Sequence, residues 1–573
     1  MGVFLDSSRS LRCVAVLASA IFVCAATDAA AEEKLARRWV YLQTNLQVKE
    51  NLVKAEDLLK RAKAAGYNGV VISDFKHNVL DRVPDWYFDH ASQFKKLAGE
   101  LEIEIIPTVA SIGYSDGLLV HDLDLAEGIP VREAPFVATN GQAKLASDLV
   151  TALPGGGFET HKNHLVPGWS FQDGPGESSF VDSDVKHGGQ SSLRWEAPET
   201  DGAGGNYRVS RVVKVAPWRQ FHASVWIKTE DWKAANEVRL TAIGADGRTL
   251  TYSNLGVKPT QDWTRHDVVF NSLANEEIRI YCGTWGGRGG KLWMDDLQLE
   301  ETAFVNLLRR DGCELTVAGE NGAPFEEGRD FERLVDPKMG NVEYPGTYEV
   351  WHEPPTLTLT KDSRIRDGER LSVSFSHTAL VYDNQVICCL AHPKVFGILE
   401  DQIARVQKIY DAKALFLSHD EIRVANWCGS CRKEGRDAGE LLAENMRRCV
   451  EIVRKVSPDA ELCVWSDMFD PHHNATKDFY LVNGDLAGSW KGLPESMSIV
   501  NWNHGAAKQS LPFFADRGHR QILSGYYDSD ARSIAGWLEQ GEGVEGIDGA
   551  MYTTWQNDFS GLEAFAEAAW GGK

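Results

Sequence analysis

At 573 residues the chain exceeds what one hydrophobic core accommodates, so two or three folded units are expected. A composition of 43% apolar and 25% charged residues is that of a folded protein. The net charge of −22 opposes any polyanion, which excludes a general nucleic-acid binder.

At the N-terminus, Arg9 and Arg12 precede an apolar run over 13–26 and then Thr27-Asp28-Ala29-Ala30-Ala31. This is the pattern of a secretory leader cleaved after Ala31, so residues 1–31 are expected to be a signal peptide and the mature protein to be exported, periplasmic or secreted. The run is too short for a membrane anchor, and no later segment carries the roughly 20 apolar residues of a spanning helix. Bulky Ile21, Phe22 and Val23 before Cys24 argue against lipoprotein processing.

Beyond the leader the pattern alternates strand and helix. Strands are predicted over 39–45, 69–75 and 103–109, with amphipathic helices over 53–65 and 86–101. Strand–helix–strand at this spacing means a parallel sheet. Residues 150–302 then turn rich in Gly, Ser, Asp and β-formers, with turn signals every 8–12 residues, which describes a β-sandwich. Residues 303–379 stay β-like and form a small connector that includes the run 371–377. The alternation returns with a helix over 394–411, a strand over 414–418, a helix over 440–456, strands over 461–466, 497–502, 521–527 and 549–555, and a closing helix including 562–570.

Three strands before the insertion and five after it predict an α/β fold: a (β/α)₈ barrel whose active site lies at the C-terminal ends of its strands. The expected units are a first barrel segment over 32–149, the sandwich over 150–302, the connector over 303–379 and a second barrel segment, with the catalytic residues, over 380–573. The sandwich is expected to be dispensable for chemistry on small substrates.

Eight cysteines follow the leader, too few for a disulfide scaffold. Cys428-Gly429-Ser430-Cys431 fits a redox pair, half a zinc site or a local disulfide; with no second C-x-x-C and no thioredoxin-like context, a structural role is expected.

The sharpest motif is LFLSHDEIR over 415–423, an apolar strand that ends in His419, Asp420 and Glu421. Acidic residues at a strand-to-helix turn also cap helices. Capping alone, however, does not predict Trp465 and Asp467, Trp502, Tyr526 and Asp528, and Trp555 at the other strand ends. Trp, Tyr, Asp and Asn converging on one face suit a pyranose, with stacking walls and hydroxyl acceptors. Glycoside hydrolysis ordinarily needs two carboxyl groups, and no Glu stands at the last three strand ends. Either an Asp serves as nucleophile or the substrate supplies its own.

The adjacent Asp420-Glu421 pair, VWSDM over 464–468, Tyr526-Tyr527-Asp528 and MYTTWQN over 551–557 resemble the family-20 glycoside hydrolases, the β-N-acetylhexosaminidases. The resemblance implies Glu421 as acid/base and Asp420 orienting the sugar's acetamido group. It also implies the Tyr526 hydroxyl on the acetamido oxygen and Trp555 as a pocket wall. The family's arginine at the first strand end has no counterpart in VYLQTNLQ, and its Glu after the last-strand Trp is Asn557 here. The sandwich phrases HGGQSSLRW (187–195) and KLWMDDLQLE (291–300) resemble jelly-roll carbohydrate-binding modules, with Trp218, Trp226, Trp285 and Trp293 as candidates for a sugar platform.

The expected protein is therefore a glycosidase, a retaining substrate-assisted exo-β-N-acetylhexosaminidase. Its partner is an oligo- or polysaccharide, with no nucleic acid, membrane span, metal or cofactor required. A hydrolase of another linkage with an Asp nucleophile and a non-catalytic glycan-binding barrel both stay open.

Overall fold

Apolar runs buried on both faces belong in a sheet covered by helices outside and closed around a packed interior. In the computed structural model, which describes residues 35–149, 153–200, 204–341, 344, 346–382 and 384–571, eight such runs form a closed parallel barrel. The expected leader lies outside these residues. The strands are β1 (Arg37–Thr44), β2 (Gly69–Asp74), β3 (Glu104–Val109), β4 (Ala414–Leu417), β5 (Glu461–Trp465), β6 (Met497–Asn501), β7 (Gln521–Tyr526) and β8 (Ile547–Thr553). Closure pairs β8 with β1, Arg37 opposite Gly549.

Alternation along the strands sends Trp39, Tyr41, Val71, Ile106, Phe416, Trp465, Ile522 and Met551 into the interior as one cluster. Their neighbours Val40, Leu42, Val70, Ile72, Leu415, Leu417, Val464 and Tyr552 pack outward into the main core.

Among the described residues, helices occupy six of the seven connections between barrel strands, α1 (Lys49–Ala64), α2 (Asp85–Glu100), α3 (Pro393–Tyr410), α4 (Ala438–Val456), α5 (Ala507–Ala515) and α6 (Ile534–Gln540), and α7 (Leu562–Trp570) follows β8. α1 buries Leu52, Ala55, Leu58, Leu59 and Ala62, a stripe at helical spacing. α4 opens on a capping box, in which Asp437 accepts from the first turn and Glu440 reaches back. The fifth connection departs from strict β/α alternation. Residues 466–496 carry Pro471, Pro494 and several glycines and form only two short 3₁₀ turns and one isolated strand pair. No helix among the described residues is long and apolar enough to cross a membrane.

The chain leaves the barrel earlier than 149. Ile129–Thr139 and Gln142–Leu145 join a seven-stranded sheet in which Phe136 lies opposite Leu371 of the strand Arg370–His377. The cause is periodicity. Ile129–Thr139 buries alternate residues around one irregularity, the signature of a sheet with one wet face, whereas barrel strands are buried on both. The run 370–377 thus belongs outside the barrel, as expected, and Phe136, Phe304, Val373 and Phe375 share a separate core with strands from both sides of the insertion.

Between those flanks lie two antiparallel sheets, one of five strands between Ser179 and Thr302 and one of four between Phe171 and Gly287. Leu193, Val225, Ile227 and Met294 of the first and Val209, Leu240 and Ile280 of the second bury into a common core. The four expected platform tryptophans are not gathered into one. Trp293 is buried and its indole N–H donates to Asp182 at 3.0 Å. Trp226 stacks on His187 at 3.8 Å, Trp218 packs against Arg132 and Trp427, and only Trp285 is exposed. These sheets also touch the barrel. Tyr252–Ser253 pairs with Val381–Tyr382, and Arg248 Nε donates to the Tyr480 carbonyl at 3.1 Å.

Candidate active site

A cavity of about 890 Å³ opens at the C-terminal ends of the barrel strands. Its lining includes Asp420 and Glu421 beyond β4, Trp465 at the end of β5, Trp502 beyond β6 and Trp555 beyond β8. Five of the nine residues expected from the sequence are therefore brought together around one void.

The Asp420–Glu421 turn is held from below and from the side. Glu421 sits at φ +50°, and its N–H donates to Asp467 Oδ2 at 2.9 Å; Asn474 Nδ2 donates to the same oxygen at 2.9 Å. Asp467 is thus fully buried behind the turn, a support for Glu421. The Glu421 carbonyl accepts from Gln385 Nε2 at 3.2 Å, and Gln385 Oε1 accepts from Arg423 at 2.8 Å. On the carboxylate, Oε1 stands 2.5 Å from Arg423 Nη2, and Oε2 accepts the Tyr114 hydroxyl. Arg423 is flanked by the rings of Tyr382 and Tyr480, at 5.1 and 5.3 Å, and Tyr252 of the inserted sheets packs on Tyr480 at 4.6 Å. The insertion thus packs, through Tyr252 and Tyr480, behind the residue that pairs with Glu421.

Burial, then the charges of Asp467 and Glu421, push the Asp420 carboxyl up to about 8. Burial is also the first cause that raises Asp467, to about 6, with the Glu421 N–H opposing it. Asp420 therefore keeps its proton at neutral pH in the free protein, while Glu421 is ion-paired with Arg423.

Gly113 is where the third and fourth strand ends meet. A Cβ there would stand 1.7 Å from the Asp420 carbonyl oxygen. Gly113→Ala is therefore expected to cost about 1–3 kcal/mol through forced displacement and to move the Asp420–Glu421 turn. Thermal unfolding and kcat measured together check this. An unchanged Tm with unchanged kcat would show that the two loops do not press on each other.

Aromatic rings line the floor and wall. Trp465 is almost fully buried, meeting Tyr41 at 5.5 Å and Trp555 at 5.9 Å, and Trp555 stands exposed with Tyr527 parallel to it at 6.1 Å.

Besides Asp467, three expected contacts lie outside the cavity lining. His419 is wholly buried behind the turn, its Nε2 3.0 Å from Asn445 Oδ1 on α4, and burial lowers it to about 4, so it is neutral. Asp528 accepts from the Thr554 hydroxyl and from the Trp555 N–H at 2.8 Å, and thereby fixes the loop that carries Trp555. Tyr526 stacks on Tyr552 at 4.5 Å and donates its hydroxyl to Asp558 at 2.9 Å. Strict alternation from inward Ile522 would point Tyr526 inward too. Positive φ at Tyr526, Tyr527 and Asp528 reverses the backbone there, so Tyr527 is the tyrosine on the Trp502–Trp555 side.

Sequence reasoning missed Tyr41, Lys76, Tyr114 and Tyr344. The strand-end rule applied to β2 and β3 would have found Lys76 and Tyr114, which follow those strands, whereas Tyr41 lies within β1 and points into the barrel interior. Tyr344 arrives from the flanking sheet region and packs under the Lys76 ammonium at 3.0 Å from the ring centroid; no local signal marks it.

No protein-family model matches the chain, and no curated protein matches it. Among solved structures, it aligns with the Flavobacterium johnsoniae chitobiase over 94% of its own length and 48% of that chain, at 10% identity and a TM-score of 0.37. The chain thus spans about half the length of that chitobiase. The GH20 β-N-acetylhexosaminidase from Streptomyces coelicolor A3(2) aligns over 32% of this chain and 38% of that one, at 14% identity and a TM-score of 0.20. The CBM22-1 xylan-binding domain from Paenibacillus barcinonensis Xyn10C aligns over 25% of this chain and 90% of that one, at 17% identity and a TM-score of 0.19.

Proposed function

We propose that the protein is an exported glycoside hydrolase, a retaining exo-β-N-acetylhexosaminidase on a (β/α)₈-type barrel, in which the substrate's acetamide is the nucleophile. The observation that carries this reading is the adjacent pair Asp420 and Glu421 opening into an aromatic-walled cavity of about 890 Å³ at the barrel's catalytic end.

The mechanism uses one proton, carried between the two carboxyls. In the free protein it rests on Asp420. When a sugar enters, its acetamido N–H takes Asp420 as acceptor and the proton passes to Glu421, whose pairing with Arg423 opens. Glu421 then gives the proton to the glycosidic oxygen as the acetamido oxygen attacks the anomeric carbon and the leaving group departs. The resulting oxazolinium ion is cationic, and ionised Asp420 stabilises it. Water adds to the anomeric carbon, returning its proton to Glu421. Trp465, Trp502 and Trp555 hold the ring faces, and Lys76 and Tyr344 supply polar contacts where the family arginine is missing.

Turnover of an aryl N-acetyl-β-glucosaminide, the matching galactosaminide and a plain β-glucoside tests the reading. Hydrolysis of the N-acetyl substrates alone supports it. Hydrolysis of the plain glucoside points to an Asp nucleophile, and no hydrolysis at all points to a glycan-binding barrel.

The pH profile follows from the same proton. Protonated Asp420 exists below its folded pKa, so kcat/KM, which reports the free enzyme, is expected to fall as pH rises through about 8. The slope above that point is about tenfold per unit. A profile flat well past pH 9 in a folded protein would remove the shared proton from the mechanism.

A further inference from the structure

Buried thiols converge at a point the proposed chemistry does not use, the neck where the chain leaves the barrel and returns to it. There the outgoing and incoming segments pair. Glu127 N–H donates to the Ile387 carbonyl at 2.7 Å, Cys389 N–H donates to Leu125 at 2.8 Å, and Ala126 bridges Cys388. The loop that follows Glu421 folds onto this neck and brings Cys428 and Cys431 against it.

Cys389 Sγ lies 3.5 Å from Cys428 Sγ and 3.4 Å from Cys431 Sγ. Glu127 Oε2 lies 3.5 Å from Cys428 Sγ and 3.2 Å from Cys431 Sγ. The four donor atoms are all within 4.8 Å of one another, and all four residues are buried. Sulfurs bound at about 2.3 Å to a tetrahedral zinc stand roughly 3.8 Å apart, and sulfur to oxygen roughly 3.5 Å. These four separations match that shell to within a few tenths of an ångström, and the other two are no more than 4.8 Å.

The surroundings fit an anionic centre. Glu127 Oε1 is fixed by the N–H groups of Trp427 at 2.7 Å and Cys428 at 2.9 Å, which orients the carboxylate as a ligand. The Arg310 guanidinium, held by the carbonyls of Asp124 at 2.7 Å and Ala126 at 2.8 Å, acts electrostatically on Cys389, Cys428 and Glu127. Three thiols and a carboxyl sealed from water are otherwise a costly grouping.

We propose that Cys389, Cys428, Cys431 and Glu127 bind one zinc-class divalent ion in a tetrahedral, closed, structural site. On binding, the three thiols and the Glu127 carboxyl release their protons to solvent, and the ion takes the three thiolates and Glu127 Oε2. Four negative charges meet two on the ion, and Arg310 offsets part of the remainder. The site staples the neck of the insertion to the loop carrying Asp420 and Glu421. Cys313, whose thiol neighbours Cys428, lies outside the ligand set.

The test uses the full chain purified without a metal-binding tag and dialysed against micromolar zinc. Elemental analysis is expected to find about one zinc per chain, falling to about a tenth or less in Cys428→Ser and Cys431→Ser. Glu127→Gln should also lose metal, whereas Cys313→Ser and the distant Cys282→Ser keep it. Should the ligand variants fail to fold, the wild-type chain decides: an organomercurial should release the zinc as it titrates thiols, and chelation should lower Tm by more than about 5 °C. A metal-free wild-type chain overturns the proposal. So does an intact mass two hydrogens light with a disulfide joining any two of Cys389, Cys428 and Cys431. Metal lost in Cys313→Ser but retained in Glu127→Gln overturns the ligand set. None of these readouts involves hydrolysis, so the result stands apart from the proposed activity.

Discussion

Glu421→Gln is expected to lower kcat on an aryl N-acetyl-β-glucosaminide by about 10²–10⁴-fold, the loss typical of a missing general acid. The amide oxygen still accepts from Tyr114, and Arg423 still donates to Gln385 Oε1 at 2.8 Å, so the turn keeps its supports. Arg423 loses its charged partner, and some stability goes with it, so rates are compared at a temperature where circular dichroism shows the variant folded. Position alone does not distinguish an acid from a prop. Leaving groups do. As the departing phenol becomes more acidic it needs less protonation, and the defect of Glu421→Gln should shrink across such a series. A uniform defect would make Glu421 a structural residue, and a variant retaining more than about a third of wild-type kcat would sink the assignment.

Asp420→Asn separates the two nucleophile readings. If the acetamide attacks, the intermediate is a bicyclic oxazolinium ion with no bond to the protein, and ionised Asp420 faces its positive charge. Removing that charge is expected to cost about 10²–10³-fold in kcat, the scale seen when a preorganised stabilising group is lost. The substitution keeps the volume and requires no proton in the buried site, so unfolding is not the expected cause. A thiazoline analogue of the N-acetyl sugar mimics the ion and should bind the wild-type protein far more tightly than substrate, and Asp420→Asn much less so. A 2-fluoro glycoside should leave the intact mass unchanged. A stable glycosyl adduct on any carboxylate would overturn the substrate-assisted reading, with the N-acetyl specificity it implies. Asp528 is poorly placed for such an adduct, since both its oxygens are engaged in holding the Thr554–Trp555 loop.

Much of the candidate site was legible because one rule sufficed: polar and aromatic residues just past a barrel strand face the open end. Asp420, Glu421, Trp465, Trp502 and Trp555 obey it. His419 breaks it because consecutive residues of a turn point opposite ways, and between Leu417 and Asp420 the imidazole goes to Asn445. Tyr526 breaks it because alternation assumes extended backbone, and φ of +94° ends that assumption at the last residue of β7.

The sequence by itself determined the eight barrel strands and most of their helices, to within a residue or two for the strands before the insertion. The reason is that burial on both faces demands unbroken apolar runs, and amphipathic stripes demand helical spacing. Both demands are local and are written into short stretches of chain. Membership in a sheet is not local. Ile129–Thr139 left the barrel to pair with Arg370–His377, a partner more than two hundred residues away, because hydrogen bonds between strands record only which edges come to lie together. The same holds for Tyr344 beneath Lys76, for Tyr252 behind Arg423, and for Cys389 beside Cys428 and Cys431. Each half of those contacts is ordinary in its own segment. Only the path of the chain out of the barrel and back makes them neighbours.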